Sequence, residues 1–374
     1  MTTWHLEIND AVHKRSRSSH LHQVQSIIHI VYIQESSKSI LIARPLSALK
    51  MVKIALLGAA GQIGTPLSLL CKASDLFDEI SLYDIVHVPG IATDLNHIDT
   101  RARVSGHLPE DSGLEKALNG ADVVVVTAGI ARKPGMTRDD LFRTNASIIR
   151  DIFTEIAATC PQAMCCVVTN PVNSTLPVAT EVLKKAGVFN PTHIFGVTTL
   201  DLVRASTFAA HALGDNVDPK DFKVPVIGGH SGATILPLYS QAQPPVNLDD
   251  ETLANVINRV QFGGDEIVKS KQGAGSATTC MAYAGFRFVK ALLAGKRGES
   301  ITEEAFVYLP GIPGGKEIAA DLGVDYFAVK IQLGKAGAMK ALPIGKISEH
   351  ETKLLEVALK DLKANIATSL SFMA

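Results

Sequence analysis

The chain has 374 residues, of which 46% are hydrophobic and 20% are charged, so it can bury a sizeable core and does not have the composition of a disordered protein. Its formal net charge of −1 at pH 7 gives no indication that nucleic acid or an anionic membrane is a partner. The length favours two domains.

The cysteines and the hydropathy pattern exclude further classes of protein. The five cysteines are Cys71, Cys160, Cys165, Cys166 and Cys280. They lack the C-x-x-C spacing of a metal site, and their odd number suits a reducing compartment. Without clustered Cys and His ligands we expect no metal, and without a run of about 18 apolar residues we expect no membrane span.

Residues 1–50 differ in composition from the rest of the chain, with five histidines and six Lys or Arg against three acids. A basic, Ser-rich and acid-poor segment is typical of a mitochondrial transit peptide. However, Glu7 and Asp10 come early, and residues 25–34 have the pattern of a strand. We therefore predict a poorly ordered extension without function before Met51, in a cytoplasmic protein. A transit peptide to the mitochondrial matrix is the alternative.

A nucleotide-binding pattern begins at Lys53. The apolar run Lys53–Leu57 predicts a buried strand, and the helical stretch Leu67–Lys72 follows after a glycine-rich loop. Glycines between a strand and a helix let the backbone turn tightly and approach a pyrophosphate at the helix N-terminus. The predicted cofactor-binding residues of this loop are Gly58, Gly61, Gln62, Ile63 and Gly64.

The second predicted strand, Ile80–Tyr83, ends at Asp84, which lies 20 residues after Gly64. A carboxylate at this place accepts hydrogen bonds from the adenosine ribose diol and repels the 2′-phosphate of NADP. The alternative is a carboxylate that only caps the strand end. The first interpretation predicts NAD as the cofactor.

Two further strands are predicted over Ala121–Thr127 and Met164–Thr169, with an amphipathic helix over Asp139–Cys160 between them. Strands that alternate with helices indicate a parallel sheet covered on both faces, with ligands beyond the carboxyl ends of its strands. There, Asn145 and Asn170 could each hold the nicotinamide ribose or a substrate oxygen. Asn-Pro is also an ordinary turn signal, so Asn170 by itself does not distinguish a binding residue from a turn residue.

The loop over residues 131–140 carries two arginines, Arg132 and Arg138, and a Pro-Gly pair. Its place in the predicted sheet puts it above the cofactor, where it is a candidate lid. Single exposed arginines on loops are usually only solvated. Two of them over a cofactor suit a substrate with several negative oxygens, because guanidinium groups bind carboxylates bidentately.

A third arginine follows a predicted helix start, where Thr198 or Thr199 can serve as the cap. Asp201 and Arg204 are then three residues apart on one helical face. One interpretation is an intrahelical ion pair worth a few tenths of a kcal/mol. In the functional interpretation, Arg204 binds a substrate carboxylate and Asp201 orients a catalytic histidine.

That histidine is His230, in the stretch Val226–Gly232, where a short β-branched run breaks into glycines. The pattern predicts a strand end and a tight turn that presents the imidazole. A histidine can give and take a proton near neutral pH. A turn histidine alone would be unremarkable, and it is the upstream set of residues that favours catalysis.

Seven segments, in order, resemble the lactate/malate dehydrogenase family, in particular its members that act on malate. They are GAAGQIG (58–64), LYDI (82–85), ARKPGMTRDDLF (131–142), TNPVNSTLPV (169–178), FGVTTLDLVRA (195–205), VPVIGGHSGATILPL (224–238) and GAGSATTCMA (273–282). Residues 1–50 lie outside the resemblance. Gln62 stands where many relatives have glycine, and we expect little effect from it.

The resemblance implies an α/β fold, a Rossmann-type doubly wound parallel sheet followed by an α+β substrate-binding catalytic domain. It places the NAD-binding domain at 51–196 and the catalytic domain at 197–374. It also implies the interconversion of (S)-malate and oxaloacetate by hydride transfer with NAD, in a homodimer without nucleic-acid or membrane partners. A lactate-type 2-hydroxy-acid dehydrogenase and an inactive NAD-binding sensor are the alternatives.

The resemblance further assigns the site residues. Arg132 would bind the distal carboxylate of the substrate, Arg138 would polarise the reacting carbonyl, and Arg204 would pair with the C1 carboxylate. His230 would be the proton donor and acceptor, oriented by Asp201. Asn170 would lie near the reacting oxygen and Met281 would line the nicotinamide pocket.

Overall fold

A computed structural model describes residues 28–35, 38–45, 51–130 and 138–374. The chain divides into two compact units, Met1–Met51 and Val52–Ala374. In the first unit, β1 (Ile28–Glu35) and β2 (Lys38–Pro45) form an antiparallel pair. The strand expected over residues 25–34 is thus present from Ile28, whereas the four histidines of residues 1–50 other than His29 lie outside the described residues.

The first part of the second unit alternates strands with helices, as predicted. Its elements are β3 (Lys53–Leu57), α1 (Gly64–Lys72), β4 (Glu79–Tyr83), α2 (Val88–Leu95), β5 (Arg103–His107), α3 (Gly113–Leu118), β6 (Val123–Val126), α4 (Arg138–Thr159), β7 (Met164–Val167), α5 (Val172–Lys185) and β8 (Ile194–Gly196). The strands are parallel in the order β5-β4-β3-β6-β7-β8. The winding reverses between β3 and β6, which is where ligands bind in such sheets.

The remaining elements extend this sheet with antiparallel strands. They are α6 (Thr199–Leu213), β9 (Val226–Gly228), β10 (Ile235–Pro237), α7 (Asp250–Ser270), α8 (Thr279–Lys296), β11 (Ile301–Tyr308), α9 (Gly315–Leu322), β12 (Tyr326–Gly334), β13 (Gly337–Ala341) and α10 (Glu349–Met373). Strand β11 pairs with β8 through Phe306 and Gly196, so that eleven strands of the described chain form one sheet. The predicted α/β fold class is confirmed, and its two parts share a single mixed sheet.

Two hydrophobic clusters hold this unit together. The larger one is built on strands that are buried on both faces, such as the four valines of β6, and it continues into α8 and β11. This is why β3, β6 and β7 are unbroken apolar runs rather than alternating ones. The smaller cluster packs α6 and α7 around β9 and β10, and it includes Val226, Ile235 and Val260. Strand β9 leads directly into the histidine turn.

Candidate active site

The glycine loop between β3 and α1 requires glycine at two positions. Gly58 has a φ of 88°, and a Cβ atom there would lie 2.4 Å from the backbone nitrogen of Ala128. A Cβ on Gly64 would lie 2.1 Å from the carbonyl oxygen of Gly58. The loop therefore packs tightly against the segment after β6 and against itself, and the N–H groups of Thr65 and Leu67 in the first turn of α1 donate to the loop carbonyls of Gly61 and Ile63. A glycine loop that leads into a helix in this way lets the backbone approach a pyrophosphate.

Asp84 lies at the carboxyl end of β4, partly exposed beside that loop. One carboxylate oxygen accepts a hydrogen bond from the N–H of Ala60 at 2.9 Å, and the other accepts one from Ile85 at 2.7 Å. Burial, followed by the charge of Asp84, raises the pKa of the neighbouring Tyr83, which stays neutral. Asp84 thus anchors the loop, and its remaining lone pairs are available to a ribose diol.

The structure also describes the other residues predicted to bind the cofactor. Ile63 is the residue before α1, and the side chain of Gln62 lies against Gly275, in the loop between α7 and α8. The exposed Gln62 thereby connects the glycine loop to the loop between α7 and α8. Met281 is buried on α8 within the main core.

Asn145, on α4, is buried and bound to backbone groups. Its oxygen accepts from the N–H of Ile130 at 2.8 Å, and its nitrogen donates to the carbonyls of Ile130 and Asn170. It therefore fixes the strand exit before the 131–140 loop relative to the Asn170 turn. Asn170 itself is exposed at the carboxyl end of β7, in a cis peptide with Pro171.

The structure brings His230 and Asp201, which were predicted to act together, into direct contact. The imidazole Nδ1 of His230 lies 2.6 Å from one carboxylate oxygen of Asp201, with the carboxylate fully buried and the histidine side chain 8% exposed. Such a contact places the Nδ1 proton towards Asp201 and leaves Nε2 to exchange a proton with a ligand. The strand end and turn predicted around His230 are confirmed by β9.

Arg204 lies one helical turn from Asp201 on α6, but the two charges are only loosely paired. The nearest guanidinium nitrogen of Arg204 is 3.9 Å from the second carboxylate oxygen of Asp201. That oxygen and Nη2 of Arg204 are both buried without a hydrogen-bond partner within the described structure. A buried guanidinium is costly to leave unpaired, so a bound carboxylate would stabilise it.

The helix cap predicted at Thr198 or Thr199 is correct in its position but not in its hydrogen bond. Thr198 occupies the N-cap position, but its hydroxyl does not cap the helix, and the hydroxyls of Thr198 and Thr199 are buried without partners among the described residues. Thr198 has φ −111° and ψ 6°, whereas a capping side chain normally requires extended backbone.

Sequence reasoning missed Asn173, which lies fully buried at the start of α5. Its oxygen accepts a hydrogen bond from the backbone N–H of His230 at 2.7 Å. A Cβ on Gly229 would lie 2.6 Å from the same oxygen, so the glycine is needed for this approach. Asn173 belongs to the TNPVN stretch, but nothing in that stretch indicates its partner.

The loop arginines are described only in part. Arg132 lies outside the described residues, and Arg138 is the first residue of α4, with no description of its side chain. Across the part of the chain that is described, no cluster of three or more His, Cys, Asp or Glu residues could hold a metal, and no helix is both long and apolar enough to cross a bilayer.

Two family models match nearly all of the second unit. One, described as the NAD binding domain of lactate/malate dehydrogenase, covers residues 52–196. The other, described as the alpha/beta C-terminal domain of lactate/malate dehydrogenase, covers residues 198–373.

Curated relatives and solved structures agree with these matches. The chain is 51% identical to a mitochondrial malate dehydrogenase of Schizosaccharomyces pombe over 86% of this chain and 92% of the relative. It is 49% identical to the mitochondrial malate dehydrogenase of Homo sapiens over 87% of this chain and 93% of the relative. The apo malate dehydrogenase of Picrophilus torridus superposes with a TM-score of 0.75 at 28% identity, covering 87% of this chain and 99% of that one.

Proposed function

The chain belongs to the lactate/malate dehydrogenase family, and on that basis we propose that it interconverts (S)-malate and oxaloacetate by hydride transfer to and from NAD. The observation that carries the reaction type is the buried His230–Asp201 contact beside Arg204, whose Nη2 is buried without a hydrogen-bond partner among the described residues. The choice of malate and oxaloacetate as the substrates is supported by the relatives, which are named malate dehydrogenase.

The proposed proton transfer uses the free nitrogen of His230. In malate oxidation, neutral His230 takes the hydroxyl proton at Nε2, and in the reverse direction the imidazolium returns it to the forming alkoxide. Asp201 accepts the Nδ1 proton and stabilises the imidazolium by its negative charge. NAD, when bound, supplies the hydride acceptor.

Three arginines bind the substrate in this proposal. Arg204 takes the C1 carboxylate, which would satisfy its buried unpartnered nitrogen. Arg132 takes the distal carboxylate, and Arg138 polarises the reacting carbonyl. Closure of their loop would remove water and strengthen these contacts. Asn170, exposed at the end of β7, lies near the reacting oxygen.

The cofactor is held at the carboxyl edge of the parallel strands. Gly58, Gly61 and Gly64 let the backbone approach the pyrophosphate, and Asp84 selects NAD over NADP by repelling a 2′-phosphate. In the same proposal, Gln62 and Ile63 close over the pyrophosphate and Met281 lines the nicotinamide pocket. Asn145 contributes to ribose binding only indirectly, by holding Asn170 in place, because its own amide is already bound to backbone groups.

The test compares substrates side by side. NADH oxidation is followed by absorbance with oxaloacetate, pyruvate and 2-oxoglutarate, and each measurement is repeated with NADPH. Fast turnover with only oxaloacetate and NADH is expected. Preference for pyruvate would support a lactate-type enzyme, a possibility kept open by a lactate dehydrogenase of Eimeria maxima that superposes with a TM-score of 0.71 at 28% identity. Tight NADH binding without turnover would favour a sensor.

We also propose a homodimer. Leu69 on α1 and Tyr283 on α8 are 48% and 47% exposed, and these two helices pack against each other. Large apolar side chains exposed together favour a symmetric contact with a second copy. A sedimentation mass of one chain, unchanged on dilution, would contradict the dimer.

Residues 51–196 and 197–374 are proposed as the two domains, which the ranges of the two family models support.

For residues 1–50, the names of the relatives, which are mitochondrial malate dehydrogenases, favour the mitochondrion over the cytoplasm that the composition led us to expect. We propose that this segment directs import. A fluorescent fusion of the full chain should enter mitochondria, and the same fusion starting at Met51 should not.

A further inference from the structure

The C-terminal helix reaches the catalytic turn through a side chain that the chemistry above does not use. Asn365, near the end of α10, accepts a hydrogen bond at 3.1 Å through its side-chain oxygen from the side-chain nitrogen of Asn173. The backbone carbonyl of Asn365 also accepts from the Ser174 hydroxyl at 3.3 Å. Two consecutive residues of α5 are thus bound to one residue of α10.

Asn173 in turn connects this helix to the histidine turn. Its oxygen accepts from the His230 N–H, and its nitrogen lies 3.0 Å from the Ser231 hydroxyl and 3.1 Å from that of Thr234. Both the oxygen and the nitrogen of the Asn173 amide therefore have polar partners. Since Asn173 is fully buried, it cannot exchange these partners for water.

The orientation of the Asn173 amide decides whether it can hold His230. The two ends of an amide are nearly equal in shape, and only the oxygen can accept a hydrogen bond from a backbone N–H. The Ser231 hydroxyl can pair with either end of the amide, because a hydroxyl both donates and accepts. The Thr234 hydroxyl donates its one proton to the Ser231 carbonyl, so it can only accept from the Asn173 nitrogen. The Asn365 oxygen also accepts from this nitrogen, so Asn365 and Thr234 together leave the Asn173 oxygen for His230.

We propose that Asn365 and Asn173 are positioning residues that fix the His230 turn, and through it the imidazole against Asp201. This inference rests on the proposed function for its kinetic readout. The helix that carries Asn365 is itself anchored at its other end, because Glu351 accepts hydrogen bonds from the backbone N–H groups of Ser240 and Ser348. Helix α10 therefore acts as a rigid support for the turn.

The test uses three variants on α10 in the full chain. Asn365→Leu keeps the size of the side chain and removes the acceptor, Asn365→Asp keeps an acceptor, and Thr368→Val is a matched exposed control. We expect Asn365→Leu to lower kcat about 10- to 100-fold, with KM for NADH unchanged, because small displacements of a reacting group are costly. Asn365→Asp should recover kcat to within about threefold of the wild type, and Thr368→Val should match it.

A second readout separates positioning from stability. Asp201 is the charged group in contact with the imidazole, at 2.6 Å from Nδ1. Displacement of the imidazole in Asn365→Leu would weaken this contact, so the 15N chemical shifts of the His230 ring, assigned with His230→Gln and recorded at one fixed pH, should change in Asn365→Leu. The same shifts should match the wild type in Thr368→Val, and this measurement does not need turnover.

The outcomes distinguish the two proposals. A wild type without turnover would overturn the proposed function, while the chemical shifts of the His230 ring would still decide the positioning role. Unchanged kcat and unchanged chemical shifts of the His230 ring in Asn365→Leu would overturn the positioning role. So would a loss of activity in Asn365→Asp as large as that in Asn365→Leu.

Discussion

Glu304→Gln should stabilise the protein at alkaline pH and have little effect at acidic pH. Glu304 lies on β11, 7% exposed, opposite Lys330 of β12 and next to Glu303, which is bound to Arg287 at 3.0 Å. Burial, followed by the charge of Glu303, raises the pKa of Glu304 from its ordinary value of 4.5 to about 7. The native carboxyl therefore keeps its proton in a pH range where the unfolded chain has lost it.

The sign and size follow from proton linkage. Because the native state binds more protons between about pH 4.5 and 7, the free energy of unfolding of the wild type falls as the pH rises through that window. One pKa unit corresponds to about 1.4 kcal/mol, so the full cost is about 3 kcal/mol above pH 7. Glutamine does not ionise, so the variant does not have this loss of stability above pH 7. The variant should be more stable than the wild type by about 3 kcal/mol at pH 8 and by less than about 1 kcal/mol at pH 5.

Urea unfolding at these two pH values measures the difference. Glu317→Gln on α9 removes an exposed carboxylate by the same chemical change and serves as the control, with no pH-dependent gain expected. A stability difference between Glu304→Gln and the wild type that is the same at both pH values would refute the reasoning. A variant less stable than the wild type at alkaline pH would show that the Lys330 partner outweighs burial.

Three substitutions test the site itself. Asp201→Asn should lower kcat for malate oxidation by about 100-fold or more, because an amide can turn its nitrogen towards His230 and favour the wrong tautomer; a loss under about fivefold in steady-state assays would contradict this. Asp84→Ala should raise kcat/KM for NADPH relative to NADH, since the repulsion of a 2′-phosphate is removed, and an unchanged ratio would remove Asp84 from the ribose site. Arg132→Gln should move the preference from oxaloacetate towards pyruvate; a constant ratio of kcat/KM values for the two substrates would show that another residue binds the distal carboxylate.

Local patterns in the sequence predicted the local parts of the structure. The apolar run Lys53–Leu57 is β3 with the same bounds, and the helix expected over 139–160 begins one residue earlier and ends one residue earlier. The three-residue spacing of Asp201 and Arg204 placed both on one face of α6, as expected. Each of these results depends on neighbouring residues, for which periodicity and chain geometry are sufficient.

Contacts between distant segments could not be predicted in this way. Asn365 and Asn173 are separated by 192 residues, and an asparagine on an amphipathic helix gives no sign of its partner. The Thr198 cap failed for a different reason, because the residue type favours a cap but the backbone at that residue, with φ −111° and ψ 6°, is not extended. The pairing of β11 with β8 also depends on how the two parts fold together.

That pairing has a consequence for any attempt to exchange halves between related enzymes. At the junction, a Cβ on Gly196 would lie 2.7 Å from Val172 and 3.0 Å from Cβ of Phe306. In a chimera that joins this nucleotide-binding half to a foreign catalytic half, the side chains of the two halves must therefore pack against each other as closely as in a protein core. A suitable linker between the halves is not sufficient. The two halves are distinct in sequence but share one sheet, and a residue larger than glycine at position 196 would require Val172 or Phe306 to move.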